Sequence, residues 1–326
     1  MNGVLIIDKP AGLTSHDVVN RVRRILQQRS VGHLGTLDPM ATGVLPLVTG
    51  SLTRLAQFYT ASEKTYEGTI RFGFATDTYD AEGEPTTTPQ EVTLRAEQVE
   101  AVAARFRGVI EQTPPPFSAK KIKGVPAYKL ARKQKEVVLQ PVQVEIKEFA
   151  ILEVAQDRVR FRARVASGTY MRSVAHEMGQ TLSCGAHLES LRRTAVAEFT
   201  LEDAHTLEQL AEAAGNSAIS FPREDQSGVC VSRVPSPANS PVSQTAASQV
   251  DNSNDFFIHP RKLLPHLPSV TADDPTAARI RTGRSVNLPE LSRAPLVKVF
   301  QGQKDLLAIA TRVAGTLFRA KIVFTG

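Results

Sequence analysis

The sequence contains little cysteine and no long apolar stretch. Its two cysteines, Cys184 and Cys230, are too few for a disulfide framework and are typical of a protein in a reducing compartment. No apolar run approaches the roughly 18 residues of a membrane-spanning helix. The first residues, MNGVLIIDKP, lack a signal-peptide pattern. We therefore expect a cytoplasmic protein with no membrane segment.

Several catalytic motifs are also missing. The sequence has no GxxxxGKS/T or GxGxxG, so nothing supports nucleotide hydrolysis or dinucleotide redox chemistry, and it has no GxSxG nucleophile elbow. A metal site needs several His, Cys or acidic residues close together. The nearest approach is Cys184 with His187, which we interpret as a buried thiol near a surface imidazole. We expect no metal and no cofactor.

The composition is that of a globular protein with a basic bias. Of the 326 residues, 41% are hydrophobic and 22% are charged, and the net charge is +6 with a pI near 9.4. That bias suits an anionic partner such as nucleic acid, although a solvated basic surface would give the same count.

The chain divides into three parts by composition. Residues 1–221 are patterned sequence. Residues 222–255 are rich in Ser, Pro, Asn and Gln and contain no aromatic residue, so they bury too little apolar surface to fold and are predicted to be a flexible linker. Residues 256–326 contain strand-like runs such as PLVKVF and LLAIAT and are predicted to form a small β-rich domain.

Residues 1–221 mix strands with helices. Long strands follow one another directly near 142–166, which favours an α+β fold with a mixed, largely antiparallel sheet over a doubly wound parallel one. KTYEGTIRFG alternates with period two and places Tyr66 on an inward face. TSHDVVNRVRRILQQ is predicted to be a helix with Ser15 as its N-cap, and LRAEQVEAVAARFRG a helix closed by Gly108.

The loop GHLGTLDPMATG, residues 32–43, contains one acid, Asp38. On local pattern, Asp followed by Pro favours the start of a turn. The functional alternative is a rigid carboxylate that acts as a nucleophile or base. The glycines at positions 32, 35 and 43 allow another backbone, including that of a nucleic acid, to approach closely.

A basic segment spans about residues 113–141. SAKKIKGVPAYKLARKQKE, residues 118–136, has seven lysines and arginines against one acid. A charge run of this kind is often only a solvated surface. The stiff TPPPF before it and Tyr128 within it also fit a segment that orders on phosphate contact.

These motifs together resemble those of the TruB-type tRNA pseudouridine synthases. The resemblance runs from KPAGLTSHDVVNRVRR and GHLGTLDPMATGVLPL through KTYEGTIRFG and TPPPFSAKKIKGVPAYKLAR to SGTYMRSVAHEMG and HLESLRRTAVAEF. It covers about residues 3–221, in the family's order. The C-terminal part resembles a PUA-type RNA-binding module, and the Ser/Pro-rich stretch has no counterpart.

The resemblance implies an enzyme that isomerises uridine to pseudouridine in the TΨC-arm loop of tRNA, at tRNA position 55. Such an enzyme flips the base out of its stack, needs no metal or cofactor, and is expected to be a monomer. The basic segment would act as a thumb over the tRNA. The carboxylate of Asp38 would be essential, but the sequence does not decide whether it attacks the ribose, adds to the base or removes a sugar proton.

The other site residues follow from the same resemblance. Tyr66 would stack on the target base and assist proton transfer at C5, and Arg172 would keep Asp38 ionised and oriented. The expected substrate-binding residues are Lys9 at the pocket floor, His33 as a support for the opened T-loop of the tRNA, Tyr170 and Leu191 on the pocket wall, and Lys120, Lys121 and Lys123 on the thumb.

Two alternatives stay open at this point. The first is an RNA-binding or RNA-folding protein in which catalysis is secondary, although such a protein has no use for an oriented carboxylate. The second is a carboxylate hydrolase such as a glycosidase, which typically needs two paired acids. The loop offers one acid, and Arg172 is a poor general acid because it stays protonated.

Overall fold

The structure is a computed structural model. It describes the backbone alone at positions 121, 122, 125 and 126. The predicted linker, 222–255, lies outside the described residues, as does the stretch 128–138 of the basic segment. The described residues are 2–118, 120–122, 124–127, 139–215 and 256–324.

A ten-stranded mixed sheet organises the larger part of the chain. Its main path has the order β12-β1-β3-β10-β4-β9-β8-β5, with β2 beside β3 and β11 beside β10. Only the β1–β12 and β3–β10 pairs are parallel, so the predicted mixed, largely antiparallel α+β fold is confirmed. A separate hairpin of two short strands, β6 and β7, lies in the basic segment. The strands are β1 (Gly3–Lys9), β2 (Val31–His33), β3 (Thr42–Thr49), β4 (Lys64–Phe72), β5 (Gly108–Gln112), β6 (Lys121–Ile122), β7 (Val125–Pro126), β8 (Val142–Ala155), β9 (Arg158–Val165), β10 (Ala186–Val196), β11 (Phe199–Thr200) and β12 (Ala204–His205).

Period-two sequence explains the central strands. RVRFRARV in β9 alternates between buried apolar and outward-facing arginine side chains, and β4 buries Tyr66, Ile70 and Phe72 on the predicted inward face. Such alternation places one face of a strand in the core and the other in solvent. Here the inward face packs against helices α3 and α4, which are α3 (Ala96–Ala104) and α4 (Met171–Thr181).

The remaining helices are short. Helix α1 (Ser15–Ile25) has a valine-rich buried stripe, but its N-cap is Thr14 and not Ser15 as predicted. The Thr14 hydroxyl accepts a hydrogen bond from Asp17 N in a capping box, whereas Ser15 is buried and bonds Leu37. The helix predicted over 94–108 ends at Ala104, and Gly108 instead opens β5. The other short helices of the large domain are α2 (Ala56–Tyr59) and α5 (Leu207–Ala213), with 3-10 turns at Gly50–Leu55 and Leu201–Asp203.

The C-terminal part is a second, β-rich domain with its own core. Its five strands have the order β13-β15-β16-β17-β14. It packs on the large domain through a shared apolar cluster and a buried polar contact, in which Glu198 accepts hydrogen bonds from the Tyr59 hydroxyl at 2.6 Å and from Leu264 N at 2.8 Å. The elements are β13 (Ser269–Ala272), α6 (Asp274–Arg281), β14 (Val286–Asn287), β15 (Leu296–Gln301), β16 (Asp305–Ala314) and β17 (Leu317–Val323).

Candidate active site

Two buried cations fix the backbone of the loop that carries Asp38. Arg193, in β10 and fully buried, donates to the carbonyl oxygens of Val44 at 2.8 Å, Thr36 at 3.0 Å and Gly35 at 3.2 Å. These hydrogen bonds hold the backbone on both sides of Asp38, and they satisfy the buried carbonyl of Val44, which would otherwise cost free energy.

Lys9 supports the same loop from β1. It is also fully buried, and its Nζ donates to the carbonyls of Pro10, Leu13 and Pro39 at 2.7, 2.7 and 3.0 Å. Burial lowers its pKa to about 8, and the negative charges of Glu82 and Asp38 partly oppose that shift. Lys9 therefore lies beneath the loop, as expected of a residue at the pocket floor.

Of the three loop glycines, Gly43 is the one at which a side chain would clash with a neighbouring strand. Its φ is +101°, and a Cβ there would lie 2.2 Å from the carbonyl oxygen of Arg193. The backbone that approaches Gly43 is therefore strand β10 of the protein itself. At Gly32 the nearest atom to such a Cβ is a Val48 methyl at 3.8 Å, so close approach does not require glycine there.

The carboxylate of Asp38 faces the guanidinium of Arg172. Arg172 Nη2 donates to Asp38 Oδ1 at 3.1 Å, and Nε lies 3.0 Å from Oδ2. The two side chains differ in access: Arg172 is 5% exposed and Asp38 is 32% exposed. The planar cation thus orients the acid from the protein side, while the acid stays open to a substrate. The predicted pair is present in the structure.

A second acid, Asp80, also pairs with Arg172. Its Oδ2 lies 3.4 Å from Arg172 Nη1, and its side chain is 5% exposed. The carbonyls of Thr78 and Phe117 accept from the same guanidinium at 3.2 and 3.0 Å. Sequence reasoning missed Asp80. The acidic stretch TDTYDAEGE, residues 76–84, was the available signal, but nothing in it indicates a partner about ninety residues away.

Glu82 is another acid that sequence reasoning did not place near this site. Its backbone N–H donates to Asp80 Oδ1 at 3.1 Å. Although the residue is exposed, its pKa is raised, first by partial desolvation of the carboxyl group and then by the charges of Asp80 and Asp38. Glu82 is therefore an exposed acid close enough to Asp80 and Asp38 to be influenced by their charges.

Tyr66 and Leu191 line the core next to the loop. Tyr66 is buried and belongs to one apolar cluster with Leu37 and Ala41, which flank Asp38 on either side. Leu191 is buried in the same cluster and also borders an open groove of about 420 Å³ across β4, β9 and β10, which is lined in part by Met40 and Phe161. The structure therefore brings both predicted residues to the same region as Asp38.

Tyr170 is positioned by a buried glutamine. Gln112 is fully buried, and its side-chain amide accepts from Tyr170 N at 2.8 Å and donates to Tyr170 O at 3.1 Å. Tyr170 immediately precedes α4, so these bonds fix the start of the helix that carries Arg172. The pKa of Tyr170 is raised, mainly by burial, while the nearby Ser118 hydroxyl opposes the shift.

His33 ends β2, at the opposite end of the loop from Lys9. Its Nδ1 is buried and has no hydrogen-bond partner among the described residues, and its pKa is lowered, first by burial and then by the charges of Arg193 and His16. The ring is therefore uncharged near pH 7, which suits contact with bases better than contact with phosphates.

The thumb lysines are only partly described. Lys120 is exposed, and its carbonyl accepts from Ala127 N at 2.7 Å. Lys121 lies in β6, with only its backbone described, and Lys123 lies outside the described residues. Of these three lysines, the structure therefore describes the side chain of Lys120 alone.

The Cys184–His187 pair is the reverse of the expected arrangement. His187 is buried and packs on Phe74, with ring centroids 4.5 Å apart, while Cys184 is only half-buried. His187 lies among the first three residues of β10, all of which are buried. Among the described residues no group of three or more His, Cys, Asp or Glu has metal-site geometry.

No helix among the described residues is both long and apolar enough to cross a membrane.

Two protein-family models match adjacent parts of the sequence. Residues 23–171 match the TruB family pseudouridylate synthase N-terminal domain, and residues 172–225 match the tRNA pseudouridylate synthase B C-terminal domain. The boundary between the two matches falls just before Arg172, inside the sheet domain, so the Asp38–Arg172 pair joins both.

Curated relatives extend over the whole chain. The chain is 47% identical over 326 residues to tRNA pseudouridine synthase B of Solibacter usitatus, covering 99% of this chain and all of the relative. It is 36% identical over 333 residues to the enzyme of the same name from Burkholderia mallei, covering 100% and 98%.

The fold is also found among solved structures. A chain in the structure of an H/ACA RNP bound to a substrate RNA containing 2′-deoxyuridine superposes with a TM-score of 0.66 at 22% identity, covering 99% of this chain and 85% of that one. A chain of a Cbf5-Nop10-Gar1 complex gives a TM-score of 0.66 at 24% identity, with the same coverage. At these identities the likeness concerns the fold alone. The family matches and the full-length relatives show that the chain belongs to the TruB family of pseudouridylate synthases and is an isomerase that acts on uridine in tRNA.

Proposed function

We propose that this enzyme converts the uridine at position 55, in the TΨC-arm loop of tRNA, to pseudouridine, with Asp38 as the essential carboxylate. The observation that carries the proposal is the carboxylate of Asp38, one third exposed and oriented by a buried arginine. A protein that only bound RNA would have no use for a buried cation fixing an acid in this way.

The reaction is an isomerisation, so the base gains and loses no atoms overall. The bond between N1 of the base and C1′ of the ribose breaks, a bond from C5 to C1′ forms, C5 loses its proton and N1 gains one. Asp38 would act at the ribose or the base as nucleophile or base. Arg172 keeps it oriented, and neither step requires a group beyond the chain's own side chains.

The pocket residues would hold the flipped base. Extruding a base costs a few kcal/mol, which RNA contacts elsewhere must offset. Tyr66 would stack on the target uracil and assist proton transfer at C5. Leu191 and Tyr170 would border the pocket. His33, uncharged at neutral pH, would contact bases of the opened T-loop.

The outer contacts would come from two regions. The basic thumb, with Lys120, Lys121 and Lys123, would contact phosphates along the arm. The β-rich C-terminal domain would act as a PUA-like RNA-binding module, and its packing on the large domain through Tyr59 and Glu198 would set its distance from the active site.

The test uses the purified full-length protein and an unmodified tRNA transcript. We expect pseudouridine at position 55 alone. The Asp38→Asn variant should bind the transcript within a few-fold of the original protein but lose turnover by at least about 10³-fold, because an amide cannot act as nucleophile or base. Pseudouridine at another position would contradict the substrate assignment, and near-normal turnover by the variant would contradict the role of Asp38.

A further inference from the structure

The loop that carries Asp38 is surrounded by cations that lack acidic partners. Arg193 and Lys9 bond only carbonyl oxygens. Lys64, in β4, bonds only the carbonyl of Ser62 at 2.6 Å. Within the described ranges no carboxylate forms an ion pair with any of these three side chains. The charges of Glu82 and Asp38 act on Lys9 without an ion pair, and an anion bound from outside the protein can add to that compensation around the loop.

Lys64 differs from the other two in its capacity to bind a ligand. Lys9 is fully buried, and its three N–H groups meet three carbonyls. Arg193 is likewise fully buried and committed to the loop backbone. Lys64 is half-buried and makes one hydrogen bond in the described structure, so two of its three N–H donors are available to an acceptor.

The position of Lys64 relates it directly to the proposed base pocket. A Cβ on Gly35 would lie 3.8 Å from Lys64 Cε and 4.0 Å from Arg193 Nη1, so both cations flank the loop three residues before Asp38. Lys64 also precedes Tyr66 by two residues in β4, and side chains two apart in a strand lie on the same face, about 7 Å apart. A phosphate beside a base stacked on Tyr66 would therefore lie within reach of Lys64.

We propose that Lys64 binds a backbone phosphate of the substrate RNA beside the flipped uridine. A phosphodiester fits because it brings one negative charge and several acceptor oxygens to a half-buried ammonium with free donors. The neighbours of Lys64 across the sheet are Val165 in β9 and Val196 in β10, and the adjacent Glu63 pairs with Lys147 and Arg164 instead. This inference rests on the proposed function, since it needs the target base to enter the Asp38 pocket.

The protonation of Lys64 makes the inference testable. Its pKa is lowered to about 8, first by burial and then by the charge of Arg193. A bound phosphate would favour the ammonium form. As the pH rises above 8, free Lys64 loses its proton, so RNA binding must take one up and affinity must fall.

The experiment compares Lys64→Met and Lys64→Arg with the original protein and with Lys147→Met as control. Lys147 carries the same charge but is already paired with Glu63 at 2.5 Å. For tRNA binding, the slope of log affinity against log salt should fall in magnitude by about 0.7 to 0.9 in Lys64→Met. It should stay near the original value in Lys147→Met and in Lys64→Arg.

A pH series gives a second readout. Between pH 7 and pH 9 the affinity of the original protein should fall about tenfold relative to Lys64→Arg, since each unit above the lysine pKa costs a factor of about 10, whereas arginine stays charged. Equal salt slopes for the original protein and Lys64→Met, or equal pH dependence for the original protein and Lys64→Arg, would overturn the inference. If the original protein bound tRNA but formed no pseudouridine at position 55, the proposed function would fail instead.

Discussion

The Asp38 loop is supported in two different ways on its two sides. On the side of its carboxylate, Arg172 pairs with two acids, Asp38 and Asp80. On the side of its backbone, Arg193 and Lys9 bond only carbonyl oxygens. The first arrangement fixes the direction of a charge, and the second fixes the path of the chain.

The difference shows why the site needs arginine in two places for different reasons. Arg172 uses a planar fork to face both oxygens of Asp38 while its other edge reaches Asp80, and a lysine cannot do both. Arg193 uses the same geometry to reach three carbonyls. Losing the first should damage chemistry most, and losing the second should damage stability more than chemistry.

The largest effect is expected at Arg172. Arg172→Ala should abolish turnover and destabilise the fold by about 3 to 5 kcal/mol, because Asp80 is left as an unpaired buried charge. Arg172→Lys should reduce the single-turnover rate roughly 100-fold, since a small misplacement of Asp38 is enough for that loss. Rates at saturating tRNA and urea unfolding measure the two effects separately.

A double variant separates charge burial from catalysis. Adding Asp80→Asn to Arg172→Ala removes the unpaired buried charge, so most of the lost stability should return while turnover stays absent. A single-turnover rate for Arg172→Lys within a few-fold of the original would show that the fork is not what orients Asp38.

The second effect, at Arg193, should fall mainly on stability. Arg193→Lys leaves one or two of its three carbonyl partners without a donor, at about 1 to 3 kcal/mol for a buried one such as that of Val44, and should slow turnover by no more than about tenfold. The neighbouring Arg192→Lys is the control. Arg192 is 42% exposed and pairs with Asp8 at 2.7 Å, and an exposed pair contributes about 1 kcal/mol or less. Equal unfolding free energies for the two variants would contradict the support role of Arg193.

The sequence predicted the elements better than the site. Strands such as RVRFRARV have a strict period of two, and the succession of long strands indicated the mixed sheet, both of which the structure confirms. The errors were local. Thr14 and not Ser15 is the N-cap because the buried Ser15 hydroxyl donates a hydrogen bond to the carbonyl of Leu37. Gly108 opens a strand because its positive φ ends the turn after α3.

The site itself depended on contacts between distant parts of the chain. Asp38 and Arg172 were expected together only through the family resemblance, since no local pattern relates positions 134 residues apart. Asp80 and Arg193 carried no such expectation. Their roles come from burial and from which carbonyls lie nearby, and neither can be read from residue type or spacing.

The smallest effect on chemistry is expected on the thumb, whose lysines we propose to contact phosphate and not to support the Asp38 loop. Replacing Lys120, Lys121 and Lys123 with Ala should reduce the magnitude of the salt slope of tRNA binding by about two if most of them contact phosphate. Binding should weaken alike for different tRNAs, because phosphate contacts carry no sequence information. At low salt and saturating tRNA the single-turnover rate should return close to the original, since Asp38 and its supports are unchanged. A triple variant with an unchanged slope would mean that these lysines are only solvated charge, and a slow rate at saturation would mean that the thumb also helps to position the uridine against Asp38.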